Sequence, residues 1–310
     1  MNLGIKAIES FIPEYKIDNI KKAESFNKNE KFLIDKIGAI KLPRMDETHD
    51  TSDLASLAIE KLLDNEKELH KEDIDAIVLI TQNPDSEGLP HTSAIIQTKL
   101  SLRTNIAAFD VSLGCSGYIY GLYLLKGFLE SSGLKNGVLV TCDPYSKIIN
   151  QDDPNTSLLF GDAATATWIG SNPIWHLGPV AYDTFGSGSD FLKKEDGKLH
   201  MNGRQIFNFA ARDAISQIEK LLDQENLKKE NIDLFCLHQG SKAIVDYIIK
   251  TLSLNGNQYI FDIKETGNTV SSSIPIIFKK NFYDSKINKV VLCGFGVGLS
   301  SATAIIEKTK

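Results

Sequence analysis

The sequence contains few cysteines and nothing that would divide it into separate domains. Only four cysteines occur in 310 residues, and no two of them form a Cys-x-x-Cys pair. Four cysteines do not make a disulfide framework in a chain of this length, and common zinc or redox sites need such pairs. No low-complexity segment and no linker rich in proline or glycine interrupts the chain. We therefore expect a reduced protein without a metal site.

The sequence also lacks an excess of basic residues and a long hydrophobic run. The net charge of −6 at pH 7 argues against nucleic acid or an anionic membrane surface as the main partner. The most apolar stretch, residues 118–129, is too short to span a bilayer and contains Lys126. The first residues lack the basic and apolar regions of a signal peptide. We expect a cytoplasmic protein that binds neither nucleic acid nor membrane.

What the sequence does contain is a pattern that occurs twice. The segment FDVSLGCS at 109–116 resembles FDIKETGN at 261–268, at an offset of 152 residues (109 to 261). Upstream, HKEDIDAIVLI at 70–80 resembles KKENIDLFCL at 228–237, at an offset of 158 residues (70 to 228). In both halves, strand-like runs alternate with helix-length runs in which apolar residues recur every three or four positions. Short matches also arise by chance between strand–helix units, but matching registers favour a true duplication.

The duplication predicts the architecture. Alternating strands and helices indicate an α/β fold in which largely buried sheets are flanked by helices. We predict two related halves, residues 1–170 and 171–310, packed as one compact unit. Equivalent loops of the two halves would then lie across a pseudo-twofold axis. Cys115 and Asn268 fall in those loops, and we therefore expect them to be neighbours.

Cys115 is the candidate nucleophile. It lies in the segment Gly-Cys-Ser-Gly (114–117), where a strand-like run meets a helix-like run. The N-terminus of a helix favours the reactive thiolate, and flanking glycines permit a strained turn and close approach of a substrate. The alternative is a buried small hydrophobic residue, as most free cysteines are. We favour that interpretation for Cys142, Cys236 and Cys293, which lie in or at the end of apolar strand-like runs.

Three further features are candidates for a site. His238 ends a strand-like run and opens a glycine-containing turn, where site residues of α/β proteins often lie. Asn268 alone is typical of a turn or a helix cap, and only the duplication places it near Cys115. The glycine-rich segment 294–298 lacks the following helix and acidic residue of a dinucleotide loop. We expect its backbone N–H groups to face the site, as an oxyanion hole would.

These motifs resemble the β-ketoacyl-acyl carrier protein synthase III family, whose members are thiolase-fold condensing enzymes. The resemblance rests on LGCSGY around Cys115, LHQGS around His238 and TGNTVSSSIP around Asn268. The segments FGDAA at 160–164 and GFGVG at 294–298 match as well. The resemblance covers essentially the whole chain. It implies a thiolase-like fold in which the duplicated halves pack as a five-layer αβαβα sandwich.

The resemblance also implies a reaction. Cys115 would attack an acyl thioester and hold the acyl group, with the backbone N–H groups of Cys115 and Val297 stabilising the oxyanion. His238 and Asn268 would hydrogen-bond the carbonyl of a malonyl thioester as it loses CO₂, and the resulting carbanion would attack the acyl-cysteine. The thioesters would arrive on coenzyme A or on an acyl carrier protein, and no permanently bound cofactor is implied. The product would be a β-ketoacyl thioester of fatty-acid-like or specialised metabolism, made by a homodimer.

Several substrate-binding positions depart from the family pattern. Phe32 and Pro154 fall where members that use coenzyme A often grip its adenine between a tryptophan and an arginine. Leu89 falls where a phenylalanine often crosses the dimer interface to cap the acyl pocket. Asn208 and Ala243 fall where basic residues often meet the carrier protein. These departures leave the acyl donor open. The other implied substrate-binding residues are Gly203, Phe207 and Gly296.

Two alternatives remain open. One keeps the acyl-cysteine but transfers the acyl group to a hydroxyl or amine without decarboxylation, with His238 as general base. The other is a non-catalytic partner subunit, although such subunits commonly lose the cysteine or the histidine and this chain has both. A thiolase proper is rejected. Thiolases carry Gly-His-Pro where this chain has Gly-Asn-Thr at 267–269, and asparagine cannot act as an acid or base.

Overall fold

The computed structural model describes residues 2–309 and shows an α/β protein. Its strands in this range are β1 (Leu3–Phe11), β2 (Lys16–Asp18), β3 (Lys41–Pro43), β4 (Ala76–Ile80), β5 (Ala107–Val111), β6 (Gly137–Cys142), β7 (Ala164–Ser171), β8 (Trp175–Thr184), β9 (Leu192–Glu195), β10 (Lys198–Met201), β11 (Leu234–Leu237), β12 (Lys289–Gly296) and β13 (Ser300–Lys308). Its α-helices are α1 (Asn19–Glu24), α2 (Glu30–Phe32), α3 (Thr51–Asn65), α4 (Thr92–Lys99), α5 (Gly117–Ser132), α6 (Pro154–Ser157), α7 (Gly203–Phe209), α8 (Ile215–Gln224), α9 (Lys242–Leu252) and α10 (Ser273–Lys279).

Nine strands form one mixed sheet in the order β11-β12-β13-β8-β1-β7-β6-β4-β5. Strand β4 pairs in parallel with β5 and β6, and β11 pairs in parallel with β12, whereas the other neighbours are antiparallel. The sheet is joined at its centre by the Ile5–Trp175 pair between β1 and β8. From that point the order β1-β7-β6-β4 on one side corresponds to β8-β13-β12-β11 on the other. The topology is therefore duplicated around the central pair.

The strand boundaries follow the two offsets of the sequence repeat. Strands β4 and β11 begin at Ala76 and Leu234, which are 158 residues apart. Strands β6 and β12 begin at Gly137 and Lys289, which are 152 residues apart. The counterpart of β5 is reduced to a single parallel pairing of Tyr259 with β11. The division of the chain at residue 170 stays a prediction.

Helices cover both faces of the sheet because successive strand side chains point to opposite sides. In β4, Ile77 and Leu79 pack in a core with α3 and α4, whereas Val78 and Ile80 pack in a core with α5 and α10. Helix α5 also contacts β12 and β13 of the other half. Helices α8 and α9 cover the remaining face. The two halves of the sheet lie on opposite sides of α5 and α10. The layers are thus α3/α4, one half of the sheet, α5/α10, the other half of the sheet and α8/α9, which confirms the predicted five-layer sandwich.

Helix α5 lies in the middle layer of the fold, directly after the turn that contains the candidate nucleophile. It begins at Gly117, two residues after Cys115, and is followed by Gly133, whose φ of +69° is favourable for a residue without Cβ. Gly121 lets the helix approach the sheet closely, because an added Cβ would lie 2.6 Å from a methyl group of Leu139. In residues 2–309, no helix combines the length and the apolar composition that crossing a bilayer would require.

Candidate active site

A cavity of about 360 Å³ brings the three candidate residues together. Cys115, His238 and Asn268 all contribute to its lining, as the duplication predicted for Cys115 and Asn268. The rest of the lining is largely apolar. It includes Phe32, Tyr145, Phe160, Met201, Phe207 and Phe295. An acyl chain is the kind of ligand that such walls accommodate, since buried apolar surface favours an apolar guest.

Cys115 lies between the end of β5 and the start of α5, and only 5% of its surface is exposed. Burial, together with the negative charge of Asp143, raises the pKa of the Cys115 thiol to about 12. The backbone N–H groups of Val297 and Cys115 act in the opposite direction. Burial therefore opposes the thiolate that a helix N-terminus would favour. A thiol whose pKa is raised in this way is neutral at pH 7.

The glycines beside Cys115 serve close packing rather than access. An added Cβ at Gly114 would lie 2.6 Å from Oε1 of Gln82, and one at Gly117 would collide with Ile80. Neither glycine has a positive φ, so the expected strained turn is absent at these two positions. The glycine that lies against the sulfur is Gly296, where an added Cβ would lie 2.7 Å from the Sγ of Cys115.

The loop between β12 and β13 is tied to the cysteine turn. The hydroxyl of Ser300 donates to the carbonyl of Val297 (3.1 Å) and lies 2.7 Å from the hydroxyl of Ser116. The N–H of Val297 is thereby held beside the sulfur of Cys115, where it favours the thiolate. An oxyanion hole needs N–H groups that reach the oxygen formed next to the reacting sulfur, and these two N–H groups lie beside that sulfur. That role for Val297 and Cys115 stays a prediction.

His238 follows β11 and is held on three sides. Its backbone N–H donates to the carbonyl of Cys293 (2.8 Å), and its ring packs edge-on against Phe295 with the centroids 5.4 Å apart. Its Nδ1 lies 2.7 Å from the hydroxyl of Ser273. Burial lowers the pKa of His238 to about 3. The imidazole is therefore neutral at physiological pH, and Nε2 is the nitrogen left for a ligand.

Asn268 is held by its backbone and by one side-chain atom. Its N–H donates to the carbonyl of Leu159 (2.9 Å), and its carbonyl accepts from the N–H of Gly161 (3.0 Å). Its Oδ1 accepts from the backbone N–H of Val270 (2.9 Å). Val270 has a φ of +53°, which is strained for a β-branched residue. The remaining polar group is the Nδ2 amide, 3.4 Å from the carbonyl of Gly240, so Asn268 can act as a donor in the cavity.

Sequence reasoning missed a buried polar network behind Cys115. Asp143 accepts from the backbone N–H of Gln82 (2.7 Å) and from the hydroxyl of Ser271 (2.6 Å), and burial raises the pKa of its carboxyl to about 6. Tyr145 donates to Oε1 of Gln82 (3.0 Å), and its ring lines the cavity. A charged residue directly after an apolar strand was the available signal, since Asp143 follows β6 at its carboxyl end.

The predicted substrate-binding residues fall into two groups. Phe32, Gly203, Phe207 and Gly296 line the cavity. Leu89 lies outside it and is 86% exposed. Binding roles for all five stay predictions. In the part of the chain that the structure describes, no group of three or more His, Cys, Asp and Glu side chains could hold a metal ion.

Comparisons with known proteins match segments in both halves of the chain. The model of 3-oxoacyl-[acyl-carrier-protein] synthase III matches residues 109–184, and the model of its C-terminal part matches residues 222–308. The β-ketoacyl-[acyl-carrier-protein] synthase III of Lactococcus lactis subsp. cremoris is 31% identical over 96% of both chains. That of Clostridium perfringens is 35% identical over 83% of this chain and 84% of its own.

A solved structure extends the likeness to the fold. The β-ketoacyl-[acyl carrier protein] synthase III of Thermus thermophilus superposes with a TM-score of 0.90 at 28% identity, covering 99% of each chain. This agreement confirms the thiolase-like fold. Because these curated relatives exceed 30% identity over 83% or more of the chain, the chain belongs to the 3-oxoacyl-[acyl-carrier-protein] synthase III family.

Proposed function

We propose that this chain condenses an acyl thioester with a malonyl thioester through an acyl-Cys115 intermediate. The observation that carries the proposal is the convergence of a thiol, a neutral imidazole and a primary amide on one largely apolar cavity. Its membership in a family named for 3-oxoacyl synthesis supports an acyltransferase of this kind. Cys115, His238 and Asn268 are the proposed catalytic residues.

In the first step, the Sγ of Cys115 attacks the carbonyl carbon of the acyl thioester. A new carbon–sulfur bond forms as the bond to the donor sulfur breaks, and the donor leaves as a thiol with the proton that Cys115 gives up. The N–H groups of Cys115 and Val297 lie at this sulfur, so they are suited to stabilise the negative charge that develops on the carbonyl oxygen of the attacked thioester. The exchange of one thioester for another consumes no net proton.

In the second step, the malonyl carboxylate leaves as CO₂, and the electron pair of the broken carbon–carbon bond moves into the thioester as an enolate. Nε2–H of His238 and Nδ2 of Asn268 donate to the enolate oxygen. Neutral donors suit this step because they meet charge that appears only in the transition state. The enolate carbon then attacks the acyl-cysteine carbonyl. The Cys115 sulfur leaves and takes up one proton, which restores the thiol.

We further propose that the enzyme is a cytoplasmic homodimer that receives its substrates on coenzyme A or an acyl carrier protein, in fatty acid biosynthesis or a related pathway. Two exposed features support a dimer. Leu89 is 86% exposed, and β5 is an edge strand of the sheet in residues 2–309. Such an edge is a template for pairing with another chain. Sedimentation at several concentrations should give twice the mass of one chain, and a monomer throughout would contradict this proposal.

The condensation is tested by intact-mass spectrometry after incubation with a panel of acyl thioesters. We expect the wild type to gain the mass of one acyl group on Cys115 and to release CO₂ when malonyl thioester is added. Cys115→Ala should gain nothing, whereas Cys236→Ala, which changes another buried cysteine, should still be acylated. Condensation by Cys115→Ala would contradict the acyl-enzyme. Product formed without malonyl and without CO₂ would identify transfer to a hydroxyl or amine instead.

A further inference from the structure

Three consecutive serines follow the turn that carries Asn268, and each makes a different contact. Ser271 donates to a buried carboxylate (2.6 Å), and Ser272 donates to a carbonyl of β6 (3.1 Å). Ser273 lies with its Oγ 2.7 Å from Nδ1 of His238. All three serines are buried. Of the three, Ser273 is the one that contacts a proposed catalytic side chain.

The direction of the hydrogen bond between Ser273 and His238 follows from the other neighbour of the serine. The backbone nitrogen of Gln239 lies 3.4 Å from Oγ, and a backbone N–H can only donate. Within residues 2–309, Nδ1 is the one acceptor in hydrogen-bonding distance of this hydroxyl. A buried hydroxyl that left its proton unbonded would be unfavourable. Ser273 therefore accepts from Gln239 and donates to Nδ1.

We propose that Ser273 is a positioning residue that fixes the neutral His238 in the tautomer with its proton on Nε2. A neutral imidazole carries one N–H, so a histidine that accepts at Nδ1 must donate at Nε2. His238 lines the cavity, and Nε2 is the ring nitrogen that Ser273 does not occupy. The proposal rests on the condensation proposed above, in which an enolate oxygen needs this donor.

The two reactions considered for this site need different protonation states of Nε2 in His238. In condensation, His238 donates a hydrogen bond to an oxygen that gains negative charge. In acyl transfer to a hydroxyl or amine, His238 would remove a proton with an unprotonated Nε2. When Ser273 donates to Nδ1, Nε2 already carries a proton and cannot accept another. The contact of Ser273 therefore favours condensation.

The tautomer can be measured by NMR of the protein labelled with ¹⁵N in its histidines, because protonated and unprotonated ring nitrogens differ widely in chemical shift. The chain has six histidines, and a His238→Gln variant identifies the signals of His238. We expect a protonated Nε2 and an unprotonated Nδ1 in the wild type at pH values from about 5 to 9. A proton on Nδ1 in the wild type would overturn the proposal.

Two serine variants connect the tautomer with the reaction. Ser273→Ala removes the hydroxyl at His238, and Ser272→Ala makes the same change one residue away at an equally buried position. We expect Ser273→Ala to slow malonyl decarboxylation about tenfold or more while changing the rate of Cys115 acylation less than about twofold. Ser273→Thr, which keeps a hydroxyl, should restore decarboxylation, and Ser272→Ala should preserve both the tautomer and the ratio of the two rates.

The possible outcomes test the role of Ser273 separately from the proposed condensation. If the two alanine variants change the ratio of decarboxylation to acylation equally, Ser273 has only a structural role and the proposal is overturned. If the wild type releases no CO₂ but its NMR signals show a protonated Nε2, the condensation is wrong and the assignment of the tautomer to Ser273 stands.

Discussion

The two copies of the repeated segment reach the same cavity with different chemistry. In the first copy, β5 leads through Cys115 into a helix of 16 residues. In the second, the strand is reduced to one pairing at Tyr259, and α10 has seven residues. Asn268 aligns with Ser116, the residue after Cys115. Ser116 bonds to Ser300, whereas Asn268 lines the cavity.

The difference shows how one scaffold can supply two functions. The first copy holds its thiol by close contact, since Gly296 lies against the sulfur. The second copy holds its amide by hydrogen bonds to Leu159, Gly161 and Val270. Close contact keeps the thiol in one orientation for attack on the thioester. Hydrogen bonds keep the amide in place as a donor. Changes in the two copies should therefore affect different steps.

The largest effect should come from removing the donor of the second copy. We expect Asn268→Ala to slow malonyl decarboxylation and condensation about 10²- to 10³-fold, because the enolate charge loses a preorganised donor. The acyl adduct on Cys115 should still form, in contrast to Cys115→Ala. Intact mass and CO₂ release measure the two steps, and Asn257→Ala on the surface of the same half is the control. Equal losses in both steps would break the assignment of the two copies to separate steps.

A smaller effect is expected from crowding the thiol of the first copy. Gly296→Ala would place a methyl group 2.7 Å from the Sγ of Cys115, and we expect acylation to slow about tenfold or more because the sulfur must shift. Gly127→Ala is the matched control, since nothing lies within 4 Å of its added Cβ. That control should leave acylation unchanged and stabilise α5 by about 0.5–1 kcal/mol. Unaltered acylation in Gly296→Ala would show that the close contact does not matter.

The smallest effect concerns the ionisation of the thiol. Because burial raises the pKa of Cys115 to about 12, the thiolate is scarce at neutral pH, and its fraction rises about tenfold for each pH unit below that pKa. We expect alkylation of Cys115 to be slow at pH 7 and still accelerating at pH 9.5. Alkylation in urea should instead level off near the ordinary thiol pKa. A rate in the folded protein that levels off near neutral pH would contradict the buried, neutral thiol.

This expectation changes how a chemical test of catalysis must be interpreted. An unreactive Cys115 in the free protein would not identify a non-catalytic subunit, because a competent thiol in this cavity is also expected to react slowly. Acylation by a thioester that occupies the cavity is the informative measurement.

The arrangement of the site was predictable from the sequence to the extent that it depends on the repeat. Equivalent segments at an offset of 152 residues placed Cys115 and Asn268 in neighbouring loops, and a turn after an apolar run identified His238. Each of these three inferences needs only local patterns and a pseudo-twofold relation. The structure brings all three residues to one cavity.

The electrostatics of the site were not predictable in this way. The pKa of Cys115 depends on its burial beneath β12, and the pKa of His238 depends on burial between α10 and Phe295. The contact of His238 with Ser273 spans 35 positions in the chain. Burial and such pairings arise from packing between distant segments, which residue spacing alone does not specify.

The central Ile5–Trp175 pair has a consequence for how the enzyme can vary during evolution. The thiol belongs to one half and the amide and imidazole to the other, so their separation is set by how the two repeats meet. Gly4 stands beside this seam, where even an alanine would collide with the carbonyl of Trp175. A substitution there could shift the nucleophile relative to its partners without touching a single cavity residue. The reaction therefore constrains a sheet position that does not line the cavity.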